Sequence, residues 1–274
     1  MIVLRPGSGL CNRLRAMGSA IKLAREVSAD LRVEWFRCPI RRWSARCGMR
    51  AGFCDLFDPI DGIDVRERIV VRNEFPWVMR RYSPSNPFFS GEENRQEFAQ
   101  LVKASPGQMR WIWTCFAFYP NDDFSWLQPR KELRERIESG AADFGDRCIG
   151  LHIRRTDNKN SAQYSPLSLF TAKIEDEIAK DEAVRFFVST DDESVKAELR
   201  QRYGSRILSC EQVGARYTIK GEQDAVVDLF LLARTNKLYG SFWSSFSEVA
   251  AQIGTIPLEV LVNKDSHLPE WEIK

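Results

Sequence analysis

The chain has 274 residues, of which 43% are hydrophobic and 28% charged, and its 40 Lys and Arg against 38 Asp and Glu give a formal net charge of +2. Such a composition belongs to a globular protein that buries a substantial core, and it excludes a disordered chain. The charge balance excludes nucleic acid or an anionic membrane as the main partner, so any anion site must be local.

The chain opens with "MIVLRPGSGL", in which a charge and then glycines follow four residues, so it shows neither a signal-peptide core nor a membrane anchor. Its apolar residues nowhere run uncharged for the roughly eighteen positions that a bilayer span needs. The cysteines, Cys11, Cys38, Cys47, Cys54, Cys115, Cys148 and Cys210, are odd in number and form no C-x-x-C pair. These features predict a cytoplasmic protein with reduced thiols, and the wide spacing of Cys38, Cys47 and Cys54, with no histidine near, speaks against zinc.

Residues 2–5 read as a short strand, followed by the turn "PGSG" and a helical pattern with Leu14, Met17, Ile21 and Ala24 on one face. "LRVEWF" alternates as a second strand, which completes a β-turn-α-β opening. "DVRERIVV" predicts another strand. Residues 74–128 are rich in Pro, Asn and aromatics, and they give no clear period. Trp77, Tyr82, Phe88, Phe89, Trp111, Trp113, Phe116, Phe118, Tyr119 and Trp126 are candidates for core, with some left to line a sugar pocket. "QPRKELRERIESG" predicts a proline-started helix with Leu133 and Ile137 as its apolar edge.

A composition shift at Gly140 to Asp146 predicts a boundary between an N-terminal domain, residues 1–140, and a C-terminal domain, residues 141–274. After it, strands "RCIGLHI", "VRFFVST", "RILSC", "KLYGS" and "LEVLV" alternate with helices "PLSLFTAKIEDEIAK", "DESVKAELRQRYG", "EQDAVVDLFLLART" and "SSFSEVAAQIG". This alternation predicts an α/β fold with a parallel sheet covered on both faces.

In such a sheet, ligands sit beyond the carboxyl ends of the strands. Four polar clusters fall there: "PGSGLCNR", "HIRRTD", "STDD" and "GSFWSS". Paired arginines suit a diphosphate, because guanidinium makes charge-assisted, often bidentate bonds. Strand alternation places His152 and Arg154 on one side and Ile153 and Arg155 on the other, so Arg154 is expected at the phosphate and Arg155 beside Asp157 or another carboxylate. In "STDD", Asp191 and Asp192 suit a helix N-terminus. Ser245-x-x-Glu248 reads as a capping box whose helix start would bind phosphate. Residues 224–235 form a helix apolar almost all round, with a narrow edge of Asp224, Asp228 and Thr235. A carboxylate there needs a partner, either an arginine of the protein or a ligand with two N–H donors such as guanine. The glycine turn would let backbone approach a ligand closely, although it lacks the full dinucleotide and P-loop signatures.

Together these residues resemble the α-1,6-fucosyltransferases, both the nodulation-factor enzymes of bacteria and the core fucosyltransferases of N-glycans, and more loosely the α-1,2- and protein O-fucosyltransferases. "HIRRTD", "STDD" and "DLFLLA" leading to "SFWSS" resemble three ordered motifs of that family, and "GSGLCNRL" its N-terminal loop. The resemblance implies a GT-B-like fold, with two Rossmann-type domains whose parallel sheets face across a cleft. It implies an inverting, metal-independent transfer of fucose from GDP-fucose to a glycan, with no cofactor. His152 and Asp228 would lie near guanine, and Arg154 on the β-phosphate as the catalytic residue. Ser244 or Ser245, with Gly9 and Asn12 of the first domain, would also contact the nucleotide sugar, and Arg155, Asp157 and Asp191 complete the expected binding set. The family's lysine and glutamate for the acceptor are not matched in "NKNSAQ", where Lys159 is displaced, so the base is unassigned. The coiled-coil and SH3-like additions of the animal enzymes are missing, which argues against an N-glycan acceptor. A non-catalytic nucleotide-sugar-binding or scaffold protein of the same fold is the alternative.

Overall fold

A computed structural model describes residues 1–37, 49–69, 99–100, 102–104, 107–156, 159–210 and 218–263. The chain divides into two compact units, one of Met1–Leu133 with Gly214–Val226, the other of Arg134–Val213 with Val227–Lys274.

The first unit is built on strands β1 (Ile2–Pro6), β2 (Leu31–Arg37), β3 (Ile63–Ile69) and β4 (Arg110–Thr114), in the order β3-β2-β1-β4 and all parallel. Helix α1 (Leu10–Glu26) connects β1 to β2, and its stripe of Leu14, Met17, Ile21 and Ala24 is buried as its spacing predicts. Strand β4 lies inside the stretch whose period was unreadable. It pairs along the whole of β1, from Ile2 opposite Arg110 to Pro6 opposite Thr114. Its sequence, RWIWT, hides the inward residues among large outward aromatics. Phe118 and Trp126 are core, Trp113 and Phe116 are exposed, and Trp77, Tyr82, Phe88 and Phe89 lie outside the described residues, as do Cys38 and Cys47.

Helix α2 (Lys131–Ala141) buries Leu133 and Ile137. Pro129 does not start it. It stands before the helix, bridged to Phe57, because its fixed φ suits that extended pairing as well as a first turn.

The second unit contains β5 (Cys148–Ile153), α3 (Lys159–Tyr164), α4 (Leu167–Lys180), β6 (Arg185–Thr190), α5 (Glu193–Tyr203) and β7 (Ile207–Leu208). After α6 (Ile219–Leu232), which belongs to this unit from Val227 on, come β8 (Lys237–Ser241), α7 (Ser245–Gly254) and β9 (Leu258–Leu261). The strand order is β7-β6-β5-β8-β9, all parallel. The chain therefore runs outward from the central β5 through β6 to β7, then returns to the other side of β5 for β8 and β9. That reversal makes the β5/β8 boundary the switch point, beyond whose carboxyl ends ligands of open parallel sheets bind.

All six residues of β5 are buried, as a central parallel strand requires. One face, Ile149, Leu151 and Ile153, joins Phe170 and Ile174 of α4 and Val195 and Leu199 of α5 in a single core cluster. Each such side chain contributes about 1.5–3 kcal/mol by leaving water. The other face carries Gly150 and His152. A side chain at Gly150 would collide with Thr235 and Leu238, so the glycine lets the end of α6 and strand β8 pack close. No helix among the described residues is long and apolar enough to cross a membrane.

Candidate functional site

The carboxyl edge of the second sheet holds most of the polar residues that the sequence singles out. Where β5 ends, its backbone passes to a side chain of the neighbouring strand: Ser241 Oγ, at the end of β8, donates to the His152 carbonyl at 3.1 Å and accepts from the Arg154 N–H at 3.0 Å. Ser241 is 1% exposed, so this clasp is shielded from water.

On the other side, Asp191 follows β6 and accepts from the Arg155 N–H at 2.8 Å, the Thr156 N–H at 3.3 Å and the Thr156 hydroxyl at 2.7 Å, while Arg154 Nε lies 3.3 Å from its carboxylate. Burial opposes the Asp191 charge, but Arg154, the Thr156 hydroxyl and the backbone N–H groups outweigh it and hold the carboxyl below its usual range. Arg154 is thus fixed through its backbone by β8 and through its side chain by β6. Of the two aspartates expected at a helix start, only Asp192 caps: its carboxylate accepts from the Ser194 N–H at 2.9 Å.

Arg155 departs from expectation. Its guanidinium donates to the Ser165 carbonyl at 2.8 Å and makes longer bonds to the carbonyls of Arg154 and Ala162. Those oxygens close off the turn around α3, so the side chain packs the loop where a carboxylate partner was expected. Asp157 lies outside the described residues.

His152 is 4% exposed and stacks on Phe246 of α7 with ring centroids 4.8 Å apart. Its Nδ1 lies 2.8 Å from Ser247 Oγ. Burial, reinforced by the Arg154 charge and opposed by Asp191, lowers its pKa to about 3, so the imidazole is neutral at physiological pH. The capping frame of α7 is one residue off the expected one. Ser244 is the N-cap, Ser245 the first helical residue, and the Ser244 side chain makes no capping bond. The third position of the helix, where a capping-box glutamate would stand, is Ser247, whose hydroxyl is turned to His152. Gly240 permits this, since a Cβ there would lie 2.6 Å from Ser247 Cβ.

Asp228 of α6 accepts from the Ser189 hydroxyl of β6 at 2.8 Å and from the Cys210 thiol beyond β7. Burial and then the Asp228 charge push the Cys210 thiol up, so it stays protonated and can donate. Within the protein, a hydroxyl and a thiol at the strand ends meet Asp228. Lys196, 2% exposed, secures that corner by donating to the Cys210 carbonyl at 3.0 Å. Sequence reasoning overlooked Ser189, Ser241, Ser247 and Cys210. The serines lie inside the quoted motifs, yet nothing local shows that their hydroxyls reach across strands.

His152, Arg154, Asp191, Asp228, Ser244 and Ser245 share one edge, with Arg155 behind them. Gly9 and Asn12 belong to the first unit, where Gly9 is the N-cap of α1 and Asn12 Nδ2 donates to Ser8 Oγ at 3.1 Å. That loop is stapled by Arg13, 0% exposed, which donates to the carbonyls of Ser8 at 2.9 Å and Phe36 at 2.6 Å. Among the described residues no group of three or more His, Cys, Asp or Glu is placed to hold a metal ion.

No family model matches the chain. A stretch of 143 residues is 27% identical to an alpha-(1,6)-fucosyltransferase of Drosophila melanogaster, covering 46% of this chain and 23% of that protein. The fold is similar to NodZ alpha-1,6-fucosyltransferase soaked with GDP-fucose, with a TM-score of 0.62, 20% identity and 92% of each chain covered. It is similar to Arabidopsis thaliana FUT1 in complex with GDP, with a TM-score of 0.59, 14% identity and coverage of 95% of this chain and 69% of that one. POFUT1 in complex with GDP matches with a TM-score of 0.55, 11% identity and coverage of 95% and 98%. The chain therefore has the parallel α/β fold of these GT-B fucosyltransferase structures, and its sequence likeness is to an α-1,6-fucosyltransferase.

Proposed function

We propose that the chain is a glycosyltransferase that moves fucose from GDP-fucose to a glycan acceptor, with inversion and without a metal ion, in the cytoplasm. The observation that carries this reading is the double fixation of Arg154, by Ser241 and by Asp191, at the end of the central strand and beside the N-terminus of α7. A cation and a helix start at one sheet edge suit the diphosphate of a nucleotide sugar. Asp228, at the other end of the same edge, offers carboxylate oxygens to the two N–H donors of guanine, and neutral His152 lies between.

In the proposed reaction an acceptor hydroxyl attacks the anomeric carbon from the face opposite GDP. The bond from that carbon to the β-phosphate oxygen breaks, its electron pair leaves with GDP, and the hydroxyl proton passes to a base that no described residue identifies. Negative charge grows on the leaving phosphate, and Arg154 with the α7 N–H groups would stabilise it there in place of a divalent cation. His152 is held neutral and serves as a positioning and hydrogen-bonding group. Residues 141–274 are assigned to the nucleotide sugar and residues 1–140 to the acceptor. Gly9, Asn12 and Asp157 remain in the binding set through family resemblance.

Incubation with GDP-fucose and a panel of glycans tests the reading by assay of free GDP and fucosylated product. GDP released in step with product is expected. Tight GDP binding with neither would replace the enzyme by a nucleotide-sugar-binding scaffold.

A further inference from the structure

Among the described residues, four other than glycine have positive φ: Ser8, Ser28, Trp243 and Thr255. Ser28 and Thr255 sit just past the carboxyl ends of α1 and α7, where left-handed residues commonly end helices. Ser8 and Trp243 stand elsewhere, and at equivalent places. Each is the second residue after a strand, β1 or β8, and each directly precedes the N-cap of the next helix, Gly9 or Ser244. The same strand-to-helix turn is thus built twice. In the first unit a serine fills its left-handed position; in the second, a tryptophan at φ 53° does, and it is 49% exposed.

A bulky residue in this conformation is an outlier that persists only where its surroundings over-determine it. They do so here. Phe242, directly before it, donates its N–H to Ser165 Oγ at 2.7 Å and accepts at its carbonyl from Ser161 Oγ at 2.6 Å, and both serines are 0% exposed. The turn needs no indole, as Ser8 shows, and much of the indole surface is left in solvent. The strained backbone thus carries an indole that is open to a ligand over about half its surface.

The order of groups along the edge indicates a ligand. Asp228 lies by β6 and β7, Arg154 at β5, and the α7 N-terminus at β8. From β6 to β8 is two strand spacings, about 10 Å. A nucleoside diphosphate sugar is a linear ligand whose base, diphosphate and sugar follow one another. With base and diphosphate placed as proposed above, its sugar falls at the β8 end, where Trp243 begins.

We infer that Trp243 is the wall for the donor hexose, a specificity-determining residue that receives the apolar face of a 6-deoxyhexopyranose. This inference rests on the nucleotide-sugar reading of the site. An aromatic face, negative at its centre, attracts the weakly positive C–H groups of a pyranose. The C6 methyl of a deoxy sugar meets the indole with no hydroxyl to desolvate, whereas GDP-L-galactose, the 6-hydroxy counterpart of GDP-fucose, brings a hydroxymethyl group there. Such a wall discriminates modestly, about tenfold to a hundredfold, as apolar pockets do against an added hydroxyl.

Calorimetric titration of GDP, GDP-fucose and GDP-L-galactose into the wild type, Trp243→Ser and Trp243→Phe tests this. Trp243→Ser copies the turn of the first unit and should melt no lower than the wild type. It should bind GDP within about twofold of the wild type, bind GDP-fucose about tenfold more weakly, and lose the preference over GDP-L-galactose. Trp243→Phe should retain most of that preference. Equal GDP-fucose affinity in wild type and Trp243→Ser, or a parallel loss of GDP and GDP-fucose binding, overturns the assignment. A wild type that binds no GDP brings down the nucleotide-sugar reading itself, and the assignment with it.

Discussion

Arg154 and Arg155 are neighbours with different surroundings, and that difference divides chemistry from packing. Arg154 faces Asp191 at the strand ends, whereas the Arg155 guanidinium is spent on backbone carbonyls. Arg155→Lys should therefore act on the fold. A lysine cannot reproduce a fork of donors, so thermal stability should drop by about 1–3 kcal/mol while kcat of the folded protein changes little. A kcat loss larger than that of Arg154→Lys would exchange their roles. Asp228 is held by Ser189 and Cys210 at the edge proposed for guanine. Asp228→Asn should weaken GDP binding by about 1–3 kcal/mol, and titration of GDP into that variant checks it. Unchanged affinity would make the residue structural. The sequence revealed that Asp228 needed a partner but could not name it, because hydroxyls and thiols from other strands carry no pattern of their own.

At the scale of elements, the legible parts were those with a period. Strands β5, β6 and β8 and helices α4, α5 and α7 announce themselves by alternation or by an apolar stripe. Helix α3 does not, since KNSAQY buries only Ser161 and Tyr164, which gives no stripe to read. Strand β4 was masked by aromatics on both sides of its inward positions. Capping was half legible: "STDD" does cap α5, but through Asp192 alone, and α7 begins one residue earlier than its apparent capping box because Ser247 is drawn to His152. The β5 and β8 ends are joined by one hydroxyl, which gives this scale its test. Ser241→Ala should remove the bonds to the Arg154 N–H and the His152 carbonyl, lowering stability by about 1–3 kcal/mol and loosening Arg154. The kinetic sign of that loosening is a fall in kcat greater than any rise in the KM for GDP-fucose. A variant with reduced stability but wild-type kcat would show that the clasp only holds the sheet.

For the molecule as a whole, two parallel sheets followed from the strand-helix alternation, whereas the side-chain reach that assembles the edge of the second did not. The buried neutral His152 gives a global consequence. Its folded pKa, about 3, lies below the unfolded value of about 6.5, so the unfolded chain binds the proton first. The stability it contributes is complete above about pH 6.5 and is lost as pH falls toward 3, at up to about 1.4 kcal/mol per pH unit. The chain has 2 histidines, and the other, His267, is outside the described residues, so denaturation midpoints between pH 7 and 5 in wild type and His152→Asn isolate the effect. A flatter profile is expected for the variant, and identical profiles would contradict a buried neutral imidazole. The central claim is that protein groups, Arg154 foremost, stabilise the departing GDP. Its most direct test is kcat at saturating GDP-fucose in EDTA, measured for the wild type and for Arg154→Lys. The wild type should keep full turnover while Arg154→Lys falls about a hundredfold with little change in donor binding. A wild type silenced by EDTA and restored by magnesium or manganese, or an Arg154→Lys variant as fast as the wild type, would contradict it.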